Sequence, residues 1–285
     1  MKLSVVLLTR NEEDNIQKCL ESVKNIASEI VIFDEFSTDE TRSIARKHGA
    51  KVYKVKHLDN FHINKQRAIE KARSDWVLQL DADERVTQEL SSEIKKVINE
   101  KSLPAITQSK RKLFQKHQKL VEARDGKVGT NEGDVVAYFI SRINLFLGEP
   151  LRYAGVYPDA VIRLFKNGKG RLPAKSVHEL AEIDGRVGWL SNDLIHDESP
   201  TLQRYIARNN NYTSLMAKEY ADRGTKKNLS VMLKYAVWKP KVEFLKLYIR
   251  HKGYKDGMRG FVWSFYSAWR FPLAYFKYWT DEYKN

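Results

Sequence analysis

The chain has 285 residues, enough for one large domain or a core with an appendage, and 50 Lys and Arg against 36 Asp and Glu give it a formal charge of +14. Such a surplus draws an anion: nucleic acid, an acidic bilayer, or nucleotide-bearing and phosphorylated substrates. Cys19 is the single cysteine, which excludes a disulfide framework or cysteine-rich zinc site within one chain and favours a reducing, cytosolic setting.

The opening stretch Met1 to Arg10 has too short an apolar run for a signal peptide and reads as a first strand, Leu3 to Leu8. Asn11, Glu12, Glu13 and Asp14 then lead into a helix with Ile16, Leu20, Val23 and Ile26 on its apolar face. Glu29 to Phe33 predicts a second strand ending in Asp34. Ser37 or Thr38 is placed to cap the next helix, which carries Ile44 and Ala45 and stops at Gly49. Lys51 to Val55 alternates as a third strand, and Asn64 to Arg73 predicts a helix with Ala68, Ile69 and Ala72 inward. The run Trp76 to Leu80 reads as a buried parallel strand. Strand and helix thus alternate through the first 80 residues, the pattern of a doubly wound α/β sheet.

Asp81, Asp83 and Glu84 close that fourth strand. Open α/β sheets bind ligands at the carboxyl ends of their strands, and paired carboxylates there suit Mg²⁺ or Mn²⁺ carrying phosphates. A solvated acidic turn is the plainer reading of the same residues. Thr9, Glu12, Asp34 and Asp39 end or follow earlier strands, and Lys65 and Arg67 lie just before the fourth. Together they could hold a nucleoside diphosphate: carboxylates for base and ribose, a metal across the phosphates, cations around the leaving group. No G-x-G-x-x-G follows the first strand, and no Walker lysine loop, H-E-x-x-H or nucleophile elbow is present.

A helix from Glu89 to Asn99 is predicted on Leu90, Ile94 and Val97. Residues 101–127 hold eight Lys/Arg against two acids, with Leu113, Leu120 and Val121 able to line a modest helix. This basic insertion reads as a solvated helix or as a lid over an anionic substrate. Val135 to Ser141 and Val161 to Phe165 predict strands on either side of the rigid loop Gly155 to Asp159. His178 could be a metal ligand, a phosphate contact or a buried hydrogen-bonded histidine. Glu179 could take a proton from a sugar hydroxyl or make a salt bridge, with Glu182 and Asp184 competing for the role. Leu194 to Asp197 follows.

Beyond Pro200 the pattern is helical, with Leu202, Tyr205, Ile206, Asn209 and Tyr212 on one face and Gly224 as a stop. From Lys226 onward thirteen Lys/Arg stand against four Asp/Glu, and residues 261–279 hold ten aromatics with only Arg270 and Lys277 as charges. Aromatics beside cations suit a helix lying in a membrane interface; a helical pair packed on the α/β core is the alternative. No stretch supplies the roughly 18 uncharged apolar residues of a membrane span.

The segments Ser4–Glu13, Asp34–Thr41, Lys65–Arg67 and Asp75–Glu84 resemble family 2 glycosyltransferases of the GT-A fold. Tyr157–Asp159, Arg163–Phe165, Gly168–Arg171, Val177–Glu179, Tyr205–Tyr212 and Gly257–Phe261 are similar to the bacterial branch containing the lipopolysaccharide-core β-glucosyltransferases. The resemblance implies a mostly parallel mixed sheet with a helical C-terminal extension, divided into a catalytic domain at 1–200 and an extension at 201–285. It implies an inverting, metal-dependent transferase that passes a sugar, glucose first among the options, from a UDP-sugar to a lipopolysaccharide-core or other lipid-linked glycan. Thr9, Glu12 and Asp34 would then face uridine, with Asp39 near the base. Asp81 would contact ribose or stand behind the metal, and Asp83 would bind Mg²⁺ or Mn²⁺. Lys65 and Arg67 would stand near the diphosphate, His178 beside the donor phosphates, and Glu179 would be the general base. The glutamate–aspartate base motif of other family 2 enzymes is absent. The basic tail implies a peripheral place on anionic lipid at the cytoplasmic face of the cytoplasmic membrane. A non-catalytic nucleotide or glycan binder and a protein-modifying transferase are the competing readings; nucleic-acid binding is disfavoured, because no recognition motif accompanies the charge.

Overall fold

The computed structural model of the chain describes residues 1–100, 106–173 and 181–284. These form two compact units, one of residues 1–142 and 158–196, the other of residues 143–157 and 197–285 up to the last described residue.

The first unit opens with β1 (Leu3–Thr9), α1 (Glu13–Val23), β2 (Glu29–Asp34), α2 (Thr41–Lys47), β3 (Lys51–Lys54), α3 (Phe61–Ile69) and β4 (Trp76–Leu80). Then come β5 (Glu84–Val86), α4 (Gln88–Glu100), α5 (Gln108–Asp125) and the long β6 (Thr130–Phe146), which runs into the second unit. After β7 (Glu149–Pro150) in the second unit, β8 (Asp159–Lys166), β9 (Gly170–Arg171), β10 (Glu182–Ile183) and β11 (Arg186–Trp189) belong to the first, and β12 (Leu194–Ser199) crosses to the second. Strands β3, β2, β1 and β4 lie side by side in parallel. β8 joins β4 antiparallel and β6 joins β8 antiparallel, while β12 pairs antiparallel with β5. The result is the expected mixed, largely parallel sheet with helices on both faces.

The two faces follow from the alternation of side chains along each strand. Leu3, Val5 and Leu7 of β1 join Trp76, Leu78 and Leu80 of β4 in a layer closed by Ile16, Cys19, Leu20 and Val23 of α1. Val6, Val31, Phe33 and Val77 point the other way, against Ala68, Ile69 and Ala72.

Some local expectations shift. α3 starts three residues early because the Asn60 side chain accepts the His62 N–H and so caps it. Neither Ser37 nor Thr38 caps α2; Asp39 accepts the N–H and hydroxyl of Thr41 instead. In α5 the inward residues are Phe114 and Val121, with Phe114 stacked on Trp189 at 4.3 Å between centroids. Leu113 and Leu120 are exposed, since they lie one helical step to the side of that face.

The second unit contains α6 (Leu202–Asp222), α7 (Leu229–Leu233), α8 (Lys239–Leu245) and α9 (Gly257–Trp279). Tyr220, Ala274, Tyr275 and Tyr278 form one core of this unit, and Phe146, Leu151, Ala154 and Tyr205 another. A Cβ at Gly260 would fall 1.9 Å from the Gly253 carbonyl oxygen, so only glycine permits that approach of α9. Among the described residues no helix is long and apolar enough to cross a membrane.

Candidate active site

The chain turns sharply between β4 and β5. Glu84 donates its backbone N–H to the Asp81 carbonyl at 3.0 Å, and its carboxylate receives the Asp81 N–H at 2.9 Å. Around this turn four carboxylates converge: Asp81, Asp83, Glu84 and, through Arg142, Asp159.

Arg163 sits within the apolar strand β8 and is almost wholly buried, so its charge must be met inside the protein. It donates to Asp81 at 2.5 Å, to Glu84 at 2.7 Å, and to the Gln79 side-chain oxygen. Lys65 of α3 reaches the other Asp81 oxygen at 2.5 Å. Arg142 of β6 lies 3.3 Å from Glu84 and 2.6 Å from Asp159. Burial opposes ionisation of Asp81, but Arg163 and Lys65 outweigh it and hold the carboxyl well below the usual range. Arg163 is pushed up in turn, since Asp81 and Glu84 overcome the cost of its burial.

Asp83 is placed differently. Its carboxylate lies 3.5 Å from Nε2 of His196 on β12, and no lysine or arginine ion pair to it is present among the described residues. Burial would raise its pKa, yet the His196 contact leaves it lowered. Burial likewise disfavours the imidazolium, while Asp83 and then Glu84 raise the His196 pKa against opposition from Arg142. Three cations thus answer Asp81, Glu84 and Asp159, and Asp83 is left to the titratable His196.

The other strand ends are braced. Thr9 donates to Asp34 at 3.0 Å, across the paired ends of β1 and β2. The fully buried Asp34 also receives the N–H of Ser37 at 2.9 Å and its hydroxyl at 2.5 Å, with Arg42 at 3.4 Å. Glu12 donates its N–H to the Thr41 hydroxyl and accepts from Asn15. Asp39 accepts from Thr41 and from the Glu13 N–H; these bonds outweigh its partial burial and lower its pKa. Arg67 is exposed, donates to Asn64 at 3.2 Å and lies 5.9 Å from the Phe33 ring centroid. Phe36, directly beyond β2, holds a left-handed φ of 54° and presents an exposed ring, with Lys54 5.4 Å from its centroid. A bulky side chain in that backbone region marks a loop held by its surroundings. His178 and Glu179 lie outside the described residues.

The structure therefore joins Thr9 to Asp34, Lys65 to Asp81, and Asp83 to a histidine that residue patterns alone passed over. His196 stands at an inward position of a short strand, and Arg163 is a charge set among the apolar residues Val161 to Phe165 of another. Both are the kind of buried polar residue that demands a partner. Among the described residues, no group of three or more His, Cys, Asp or Glu could hold a metal ion. One carboxylate and one imidazole do not make a closed structural site, but they fit an ion that fills its remaining positions with water and phosphate oxygens.

The chain is similar to known proteins along most of its length. An uncharacterized glycosyltransferase of Rickettsia typhi is 28% identical over 271 residues, covering 92% of this chain and 81% of its own length. A lipopolysaccharide core biosynthesis glycosyltransferase of Rhizobium meliloti is 25% identical over 268 residues, covering 92% and 86%. The UDP-GlcNAc complex of S. aureus TarS superposes with a TM-score of 0.43 at 16% identity, over 93% of this chain and 79% of that one. Residues 4–145, which include β1 to β4 and the turn that carries Asp81 and Asp83, match the profile of Glycosyl transferase family 2.

Proposed function

We propose that the protein is an inverting, metal-dependent glycosyltransferase that moves a sugar, glucose first among the options, from a UDP-sugar to a lipopolysaccharide-core or other lipid-linked glycan. One observation carries the reading: a carboxylate cluster otherwise matched by lysine and arginine leaves Asp83 facing only the titratable His196, among the described residues, at the carboxyl end of a parallel sheet. The name of the Rhizobium meliloti relative supports the lipopolysaccharide-core acceptor.

In this reading residues 1–200 are catalytic, with the insertion at 101–127 serving acceptor recognition, and 201–285 form the extension. Asp83 and His196 hold Mg²⁺ or Mn²⁺, which would supply positive charge opposite the departing diphosphate. Asp81, fixed by Lys65 and Arg163, sets the turn and faces the ribose. Thr9, Glu12, Asp34 and Asp39 shape the uridine side, while Arg67 and His178 stand by the phosphates. The acceptor oxygen attacks the anomeric carbon opposite the leaving group, the bond from that carbon to the phosphate oxygen breaks, and its electron pair leaves on UDP. The hydroxyl proton passes to the Glu179 carboxylate. The enzyme works at the cytoplasmic face of an anionic membrane, where such acceptors are anchored.

UDP release, measured across a panel of UDP-sugars with Mn²⁺ or Mg²⁺ beside Asp83→Ala, tests this directly. Metal-dependent release from one donor, lost in the variant, is expected. Inert donors together with no thermal stabilisation by UDP would sink the proposal.

A further inference from the structure

Leu229 to Arg250 is one unbroken helical rod in which α7 and α8 are each followed by a π-helical turn, at Lys234–Trp238 and Lys246–Arg250. Its exposed positions recur as pairs four residues apart: Leu233 and Lys234, Val237 and Trp238, Lys241 and Val242, Leu245 and Lys246, Ile249 and Arg250. In a regular α-helix every fourth residue advances by about 40° per step, so such a stripe would wind off its face. The wider π-turns, bonded i to i+5, turn it back. The result is a straight band of Leu233, Val237, Trp238, Val242, Leu245 and Ile249, each between 45 and 63% exposed.

The other side of the rod is used within its own unit. Tyr235 stacks on Tyr275 at 5.2 Å, Phe244 meets Phe261 at 5.9 Å, and Leu247 is buried. The aromatic α9 also spends a face on that core, through Ser264, Ser267, Ala268 and Tyr275. The rod carries five Lys/Arg and one acid, Glu243, which already lies 3.2 Å from Lys246.

We propose that this rod docks the protein in the plane of an anionic bilayer surface. The apolar band enters the headgroup–acyl boundary, and Lys234, Lys241, Lys246 and Arg250 meet lipid phosphates. The inference deepens the membrane part of the function proposed above and is independent of its chemistry. Charge selects the occupant. A two-fold contact between copies of the rod would set cations against cations, and nucleic acid would answer the cations but leave Leu, Val and Ile against water. With no membrane-crossing helix among the described residues, in-plane docking is the geometry such a rod permits.

The test is co-sedimentation of the full chain with vesicles of phosphatidylglycerol in phosphatidylcholine, and with phosphatidylcholine alone. The double variant Trp238→Glu/Leu245→Glu is compared with Leu202→Glu/Leu215→Glu, an equal change of charge at exposed positions of α6, and circular dichroism checks that each is folded. Binding to the anionic vesicles, at least about tenfold weaker in the first double variant and retained in the second, is expected. No binding to anionic vesicles, or equal binding by the first double variant, overturns the proposal. So does a dimer in light scattering that the first double substitution dissolves. UDP-sugar hydrolysis in lipid-free buffer is read in parallel: vesicle binding without hydrolysis would leave the docking intact and remove the reaction.

Discussion

At the scale of single residues, the candidate site turns on how charge is matched rather than on how many acids are present. Asp81 and Asp83 are two residues apart and chemically distinct, because Arg163 and Lys65 claim the first and His196 faces the second. Arg163→Met would remove the cation that Asp81 and Glu84 share, leaving the first to Lys65 and the second to Arg142. A loss of about 2–3 kcal/mol in urea unfolding is expected. Asp83→Asn should change stability by only about 1 kcal/mol, yet remove any thermal shift produced by Mn²⁺. The pH response of that shift has a definite sign. The His196 pKa is raised in the folded chain, so its ion pair with Asp83 stabilises fully below the unfolded value of about 6.5 and fades as pH rises through the folded value. A metal ligand must be the neutral imidazole. The stabilisation by Mn²⁺ should therefore grow from about pH 6 to about pH 8, and a flat or falling series of melting temperatures would contradict the assignment.

At the scale of elements, the strands of the parallel half were legible because a two-residue alternation names both faces at once, and β1 supplies both cores by this device. The helix α5 was harder to read. Its leucines suggested an apolar face, but the aromatic partners that choose the face come from β6 and β11, where Phe139 and Trp189 stack at 4.6 Å. Phe114→Ala should cost about 3–5 kcal/mol, whereas Leu120→Ala should change stability by less than about 0.5 kcal/mol. Chemical denaturation gives both values, and Trp189 fluorescence should respond to the first substitution alone. The cap of α2 was misplaced for a related reason. Ser37 has the right chemistry to cap α2, but Asp34 takes its N–H and hydroxyl, and that competition depends on how the loop closes.

At the scale of the whole molecule, the second unit is organised by a buried cation as much as by its aromatics. Lys277 of α9 donates to the Asn210 carbonyl and side-chain oxygens at 2.7 Å each, and to the Ser214 hydroxyl at 2.9 Å, on α6. Burial lowers its pKa, and the three acceptors are neutral. Lys277→Met should destabilise the protein by about 2–3 kcal/mol in thermal or urea unfolding, because those acceptors lose a charged donor. In sequence Lys277 reads as one of two charges in an aromatic run, with no sign that it faces inward. By itself the sequence determined the alternating α/β pattern, the acidic turn at the end of the fourth strand, and the helical, basic and aromatic C-terminal region. These are written in residue type and short-range period. Tertiary structure alone decided which acid keeps its charge available, which face of α5 is buried, and how π-turns straighten an apolar band. The first two depend on partners distant along the chain, such as Arg163, 82 residues beyond Asp81, which no local period encodes; the third depends on a helical twist that residue spacing leaves open.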